Sequence, residues 1–405
     1  MKNEEILELI LWLSNQALEG NDNSSIFSGF CDRCVQAGLA ISHAVAVIDT
    51  LHPEFEGSAF EWSGAATVER TEQKYQSTNS GRAREIWETS VFNHLLVTGD
   101  IEVRRELAKG APLDFHRLAE LKEAGHTDYL ATINRFSESG SIGEMTAVYS
   151  AWATKAKTGF RDHDLQALRK LLPMLALALK NGTSMNIVRT LAEVYLGHDA
   201  AERVINGQIT QGAAEAIDAV IWFSDLKNYT SISDQAEPEQ IIPFLNDYSG
   251  LAIDCIHRHG GSVLKLMGDG ILAIFKGPDM QEACASALDA EYELRGEQKI
   301  LDARRSADGA PTTGIYVGLH IGRVFFGNIG SSDRLDFTVV GPAVNEVSRI
   351  CGTCRPSGND LLLSGDFAAA CSSNRQEQLR PVGEFSLRGV AQAKILFTLV
   401  SPTTS

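Results

Sequence analysis

The sequence predicts an α/β chain of the α+β kind, with two globular domains joined by a helical linker. Three observations carry this expectation. The 405 residues exceed what one hydrophobic core usually organises. Residues 1–180 mix helical periodicity with strand-like runs, and residues 181–211 read as helix. Residues 212–400 follow the order strand, helix, strand, strand, helix, strand. With 44% hydrophobic and 22% charged residues, the chain belongs to the ordinary soluble globular class. A net charge of −16 argues against a non-specific nucleic-acid or anionic-membrane surface.

The first domain opens on an amphipathic helix over residues 4–18. Glu4, Glu5 and Glu8 interrupt the apolar stretch that a secretory signal would need. A second helix is expected near 30–41. Strand-like runs follow at 43–51, 58–65, 129–136 and 144–152, and helical patterns fill the gap between the second and third. Among them, "DFHRLAELKEAG" closes on a glycine suited to a helix C-terminus. In this order the elements resemble a GAF-type sensor. The resemblance implies a small-molecule or ionic effector that the residues do not name.

In the connecting stretch Leu165, Leu168, Leu172, Leu175 and Leu179 alternate three- and four-residue steps. That spacing suits a coiled-coil seam and equally a helix packed on its own sheet. Pro173 should kink the helix unless locally accommodated. Asp199 and Glu202 have capping-box spacing. A connector without a Gly/Ser tract suits transmission of orientation better than mere tethering. The densest apolar run, "LLPMLALAL", falls far short of the ~20 residues of a membrane span, so a cytoplasmic location is expected. Seven cysteines include the pairs Cys31/Cys34 and Cys351/Cys354, in separate halves of the chain. They are expected to be small apolar side chains on helix faces, because zinc needs four ligands in one place.

The second domain begins with "AVIWFSD" (219–225), an apolar strand that ends on a carboxylate. Asp225 is either a turn or helix cap, or a ligand for a hard divalent cation. A metal needs a second carboxylate on a comparable edge. Residues 238–260 read as helix and 262–275, "SVLKLMGDGILAIF", as a hairpin turning at Gly268-Asp269-Gly270. A helix over 280–302, a loop and a long strand over 315–330 complete a βαββαβ order, that of a ferredoxin-like or palm-type domain. There the first strand and the hairpin can be neighbours, so Asp225 and Asp269 can share cations. Two such ions ~4 Å apart clamp both oxygens of an in-line phosphoryl displacement. Asn345 and Arg349, four apart on a helix opened by Gly341-Pro342, project from one face.

The motifs "FSDL", "KLMGDG", "HIGRVFFGNIG", "FTVVGPAVNEVSR" and "LRGV" occur in order. Together they resemble the catalytic domain of class III nucleotidyl cyclases over residues 221–400. The resemblance implies that Asp225 and Asp269, with the Leu226 carbonyl, hold two Mg²⁺ or Mn²⁺ ions per active site. Asn228, Tyr229 and Thr230 would offer backbone N–H groups to a triphosphate, and Arg323 and Arg388 would bind its terminal phosphates. Asn345 would orient the ribose and Arg349 stabilise charge on the α-phosphoryl group. Lys265 would donate to adenine N1 and Thr338 accept from N6, which selects ATP. Guanylyl members typically carry Glu at the lysine position. Threonine at 338 resembles the bicarbonate-responsive subgroup, with Asp336 two residues away on the same strand face. The resemblance further implies a head-to-tail homodimer with two shared sites making cyclic AMP and pyrophosphate. The alternatives are a guanylyl or relaxed-specificity cyclase, or a decayed nucleotide-binding regulator. No missing catalytic residue supports the last.

Overall fold

The computed structural model describes residues 1–64, 71–78, 80–210, 212, 214–390 and 392–400. The chain folds into two compact units, Met1–Leu191 and Ala192–Ser405. The sequence reading divides it at 180 and 211.

The first unit is built on β1 (His43–Asp49), β2 (Gly57–Ser63), β3 (Thr71–Tyr75), β4 (Glu102–Arg105), β5 (Asp128–Arg135) and β6 (Ala147–Thr154). They form one antiparallel sheet in the order β3-β2-β1-β6-β5-β4. Strand alternation sends Leu130 to one face and Tyr129, Ala131 and Ile133 to the other. The first face packs against α1 (Asn3–Glu19), α2 (Asn23–Gln36) and α6 (Asp162–Leu196). The second carries α3 (Gly81–Glu88), α4 (Val91–Thr98) and α5 (His116–Glu123). All five leucines of the three-and-four pattern are buried in the core of this unit. The packed-helix reading is therefore the one realised, since a leucine spent on its own sheet is not available to a coiled-coil seam. Pro173 lies on the exposed side of α6 and the helix continues through it.

Three expectations shift here. Strands β3 and β4 fall where helical patterns were expected. "TEQKY" and "EVRR" are charged edge strands, and edges of that kind lack the apolar alternation that betrays a strand. Helix α2 begins seven residues early because the Asp22 side chain caps it by accepting from the Ser25 N–H. It ends at Gln36, before the expected 41.

The second unit has α7 (His198–Ile205), β7 (Ala214–Leu226), α8 (Tyr229–Gln235), α9 (Pro238–Arg258), β8 (Gly261–Met267), β9 (Gly270–Phe275), α10 (Met280–Ala307) and β10 (Ile315–Gly330). There follow β11 (Leu335–Val340), α11 (Pro342–Ser357), β12 (Leu361–Ser364), α12 (Gly365–Ala370), α13 (Ser373–Gln376), β13 (Leu379–Phe385) and β14 (Lys394–Leu399). The sheet runs β13-β14-β12-β10-β7-β9-β8, with β11 paired to β10. Its β10-β7-β9-β8 core is the ferredoxin-like arrangement expected from the sequence. Only the β10–β12 pairing is parallel among the described strands. Val220, Trp222 and Phe275 face α9 and α10, while Ala219, Ile221 and Ile274 face α7 and α11. Gly318 permits close seating of α11 on β10, because a Cβ there would lie 2.8 Å from the Cys351 nitrogen. The capping box is not formed. Gly197 takes the N-cap position of α7, and the Asp199 carboxylate pairs with Lys276 instead. All seven cysteines are free and buried, both CxxC pairs included. No helix among the described residues is long and apolar enough to cross a membrane.

Candidate active site

Strand β7 is hydrogen-bonded on both sides, which fixes where its last residues emerge. Ser224 lies opposite Ile271 of β9, and Asp225 opposite Tyr316 of β10. The β8–β9 turn brings Asp269 to the same end of the sheet. Gly270 lets this turn close against β7: a Cβ there would sit 3.3 Å from the Ser224 carbonyl oxygen and 3.7 Å from Asp225 Oδ1. Residues 44 positions apart thus form one carboxylate pair. Burial, reinforced by the Asp269 charge and a hydrogen bond to Asp269, pushes Asp225 from 3.8 up to about 6. The Leu226 N–H donates to the carboxylate and offsets part of this. Two repelling carboxylates at a half-buried lip, beside a strand-terminal carbonyl, fit a hard divalent cation, whose charge relieves the repulsion. The donor set suits Mg²⁺ or Mn²⁺ better than a thiolate-loving metal.

The chain then bends sharply. Asn228 has φ +54°, the one non-glycine residue in the left-handed region among those described. Asparagine tolerates that region better than most residues. The bend is pinned from outside: the Lys227 N–H donates to the Gly314 carbonyl (2.8 Å), and the Thr313 hydroxyl donates to the Lys227 carbonyl (2.5 Å). Tyr229 and Thr230 open α8, so their N–H groups have no acceptor within the helix. Lys227 ion-pairs with Asp360 and lies 5.1 Å from the Tyr316 ring centroid. The sequence reading passed over both Lys227 and Tyr316. Their signal was proximity, since Lys227 follows Asp225 by two residues.

A second group gathers around β8 and β11. The register of β8 shifts between Val263 and Lys265, which re-aims the lysine. Its ammonium is held by the Asp336 carboxylate. Thr338, two residues on, is buried in β11 opposite Gly327. Asn345 is exposed in the first turn of α11. The Arg349 guanidinium lies against the turn carrying Arg388, where a Cβ on Gly389 would meet Nη1 at 3.2 Å. No hydrogen bond or ion pair among the described residues joins Lys265, Thr338, Asn345 or Arg349 to either aspartate of the pair.

Arg323 lies away from the carboxylate pair, its carbonyl against Gly341 at the start of α11. It is opposite Asp218 in register and makes a two-point contact with that carboxylate (3.1 and 3.2 Å). Seven residues of strand separate this level from Asp225, roughly 23 Å. On one chain the structure does not bring Arg323 to the carboxylate pair.

Residues 213–400 match the family model of the adenylate and guanylate cyclase catalytic domain. The second unit carries a class III adenylyl/guanylyl cyclase catalytic domain. Adenylate cyclase 1 of Rhizobium meliloti is 27% identical over 200 residues, which are 48% of this chain and 29% of the relative. Adenylate cyclase of Anabaena cylindrica is 34% identical over 172 residues, 42% of this chain and 34% of the relative. The matched part thus spans about a third of these curated relatives. Of solved structures, the adenylyl cyclase CyaB from P. aeruginosa is similar over 47% of this chain and 98% of its own, at 22% identity and TM-score 0.42. The guanylyl cyclase Cya2 covers 47% of this chain and 97% of its own, at 26% identity and TM-score 0.41.

Proposed function

We propose that the chain is an adenylyl cyclase, converting ATP to 3′,5′-cyclic AMP and pyrophosphate at sites shared by two copies. The convergence of Asp225 and Asp269 carries this reading, because nothing in the fold's stability calls for two facing carboxylates. The names of the two curated relatives point the same way. Asp225, Asp269 and the Leu226 carbonyl hold two divalent ions, which supply charge neutralisation at the phosphates when bound. Backbone N–H groups at Tyr229 and Thr230 receive phosphate oxygens. From the partner copy, Lys265 donates to adenine N1 and the Thr338 hydroxyl accepts from N6. Asn345 orients the ribose. Its 3′-oxygen bonds to the α-phosphorus, the bond to the bridging oxygen of pyrophosphate breaks, and the hydroxyl proton passes to solvent. Arg349 and Arg388 balance the charge that develops. Arg323 is given no part at the site of its own chain.

What supports a shared site is that no hydrogen bond or ion pair among the described residues joins the two residue groups within one chain. The first unit acts as the sensor of a small-molecule or ionic effector, with the intervening helices as connector. Free buried thiols suit a reducing, cytoplasmic compartment.

One observation favours relaxed specificity as a second reading. The Asp336 carboxylate beside Lys265 provides an acceptor for guanine N1–H. Full-length protein assayed with ATP or GTP, with Mg²⁺ or Mn²⁺, separates the two. Cyclic AMP as the dominant product, lost by roughly 100-fold or more in Asp225→Ala, is the expected result. Equal rates on both nucleotides establish the second reading, and no product from either refutes both.

A further inference from the structure

A second carboxylate cluster lies inside the cyclase domain, away from the Asp225 pair. His320 of β10, Glu346 of α11 and Asp366 of α12 bring one ligand atom each within 4.8 Å of one another. In register His320 sits opposite Ile221, four residues before Asp225 on β7 and so roughly 13 Å from it along the strand.

The imidazole is almost wholly enclosed, with 4% of its surface exposed. Its Nδ1 is 2.9 Å from the Ser364 hydroxyl, whose oxygen also accepts from the Phe367 N–H at 3.1 Å. The hydroxyl can accept from an Nδ1–H or donate to a bare Nδ1, and in the first arrangement Nε2 carries the free lone pair. That nitrogen points at Glu346 Oε2 across 3.9 Å, too far for a hydrogen bond. The other Glu346 oxygen, Oε1, is buried without a hydrogen bond of acceptable geometry, although the Lys394 ammonium is 3.1 Å away. Lys394 also lies 3.8 Å from Asp366. The Nε2 edge of a buried imidazole thus faces one Glu346 oxygen while Lys394 lies against the other, and one lysine charge stands against two carboxylates.

We propose that His320, Glu346 and Asp366 form a second divalent-cation site of the zinc or manganese class, entered by displacement of the Lys394 ammonium. One imidazole and two carboxylates match a doubly charged ion, and the nitrogen favours a transition metal over Mg²⁺. Ser364 is the outer partner that, by accepting from Nδ1–H, would hold the ligating tautomer once an ion occupies Nε2. Lys394, about a third exposed, can swing outward to water. Because Glu346 follows Asn345 on α11, an ion here ties that helix to β10 and α12.

Co²⁺ is the probe, added to full-length Asp225→Asn protein so that the sheet-end pair contributes little. Calorimetry and visible absorption should show one Co²⁺ per chain, without the intense charge-transfer bands of thiolate ligation. Affinity should fall about tenfold or more in Asp366→Asn and in His320→Gln, and rise about tenfold in Lys394→Met. Asp366 is exposed, so its variant reports on ligation even if His320→Gln fails to fold. An Asp366→Asn protein that binds Co²⁺ as before overturns the site, as does a folded Lys394→Met protein that binds none. The readout is binding, so it stands whether or not the chain turns over ATP.

Discussion

The cyclase domain contains two charged centres built on opposite principles. Asp225 and Asp269 are like charges pressed together at the lip of a sheet, with Gly270 allowing the approach. Lys265 and Asp336 are opposite charges on β8 and β11, each near half exposed and each satisfying the other. The first centre is held by rigid strand pairing and gains when a cation arrives. Under the proposed function the second must open, at least in part, before it meets a base. A like-charge pair is costly without its ligand, which is why it marks function. An exposed opposite-charge pair costs little and marks function only by its place.

The sharpest way to break the contrast is to separate the two centres genetically. If each site takes its carboxylates from one copy and Arg349 from the other, Asp225→Ala and Arg349→Ala are each inactive but complement one another. Co-expression should restore activity towards roughly a quarter of the unmodified level, because half the dimers are mixed and each keeps one intact site. Heterodimers as inactive as either parent would show that the centres act within one chain.

The next test reads the repulsion itself. Asp225 titrates higher in the fold than in the unfolded chain, at about 6 against 3.8. The stability this proton confers is present below 3.8 and lost as pH rises through about 6. Metal-free protein should lose stability over that window, and Asp225→Asn should flatten the loss. At pH 7 its Tm should rise by roughly 2–4 °C. A lower Tm in Asp225→Asn would mean the aspartate is structurally favourable.

A smaller effect is expected at the second centre. Asp336→Asn frees Lys265 and should alter KM for ATP about fivefold with little change in kcat, since only ground-state base contacts shift. Lys265→Ala should narrow the ATP-to-GTP ratio of kcat/KM. Ratios unchanged in both variants would remove this centre from base selection. The smallest effect belongs to Arg323→Ala, expected within about twofold of unmodified turnover, because an exposed pair with Asp218 contributes little.

The sequence announces the first centre more clearly than its surroundings. An apolar strand ending on Asp225 and a glycine-flanked Asp269 are local signals, and the βαββαβ order brings them together. Lys265 and Thr338 are legible only through family likeness, and their tie through Asp336 depends on a bulge in β8 that no local pattern announces. Arg323 can be placed only by strand register, which sets it opposite Asp218. In the first unit the leucine spacing was ambiguous because coiled coils and sheet-packed helices bury the same face. The edges β3 and β4 were hidden because charge there protects against pairing rather than signalling it.

The enclosed thiols give the molecule built-in clocks. Two lie in the first unit, Cys31 and Cys34, and five in the second. Burial raises both first-unit thiols well above their ordinary range, so neither reacts from the closed state. A thiol reagent therefore reaches a cysteine only during a local opening, and its modification rate measures how often that neighbourhood opens. Peptide-resolved labelling reports the two units independently, in one tube and without introduced probes. If the first unit binds an effector as proposed, that ligand should slow labelling at Cys31 and Cys34 whatever it does to turnover, so the proposal can be tested without an activity assay.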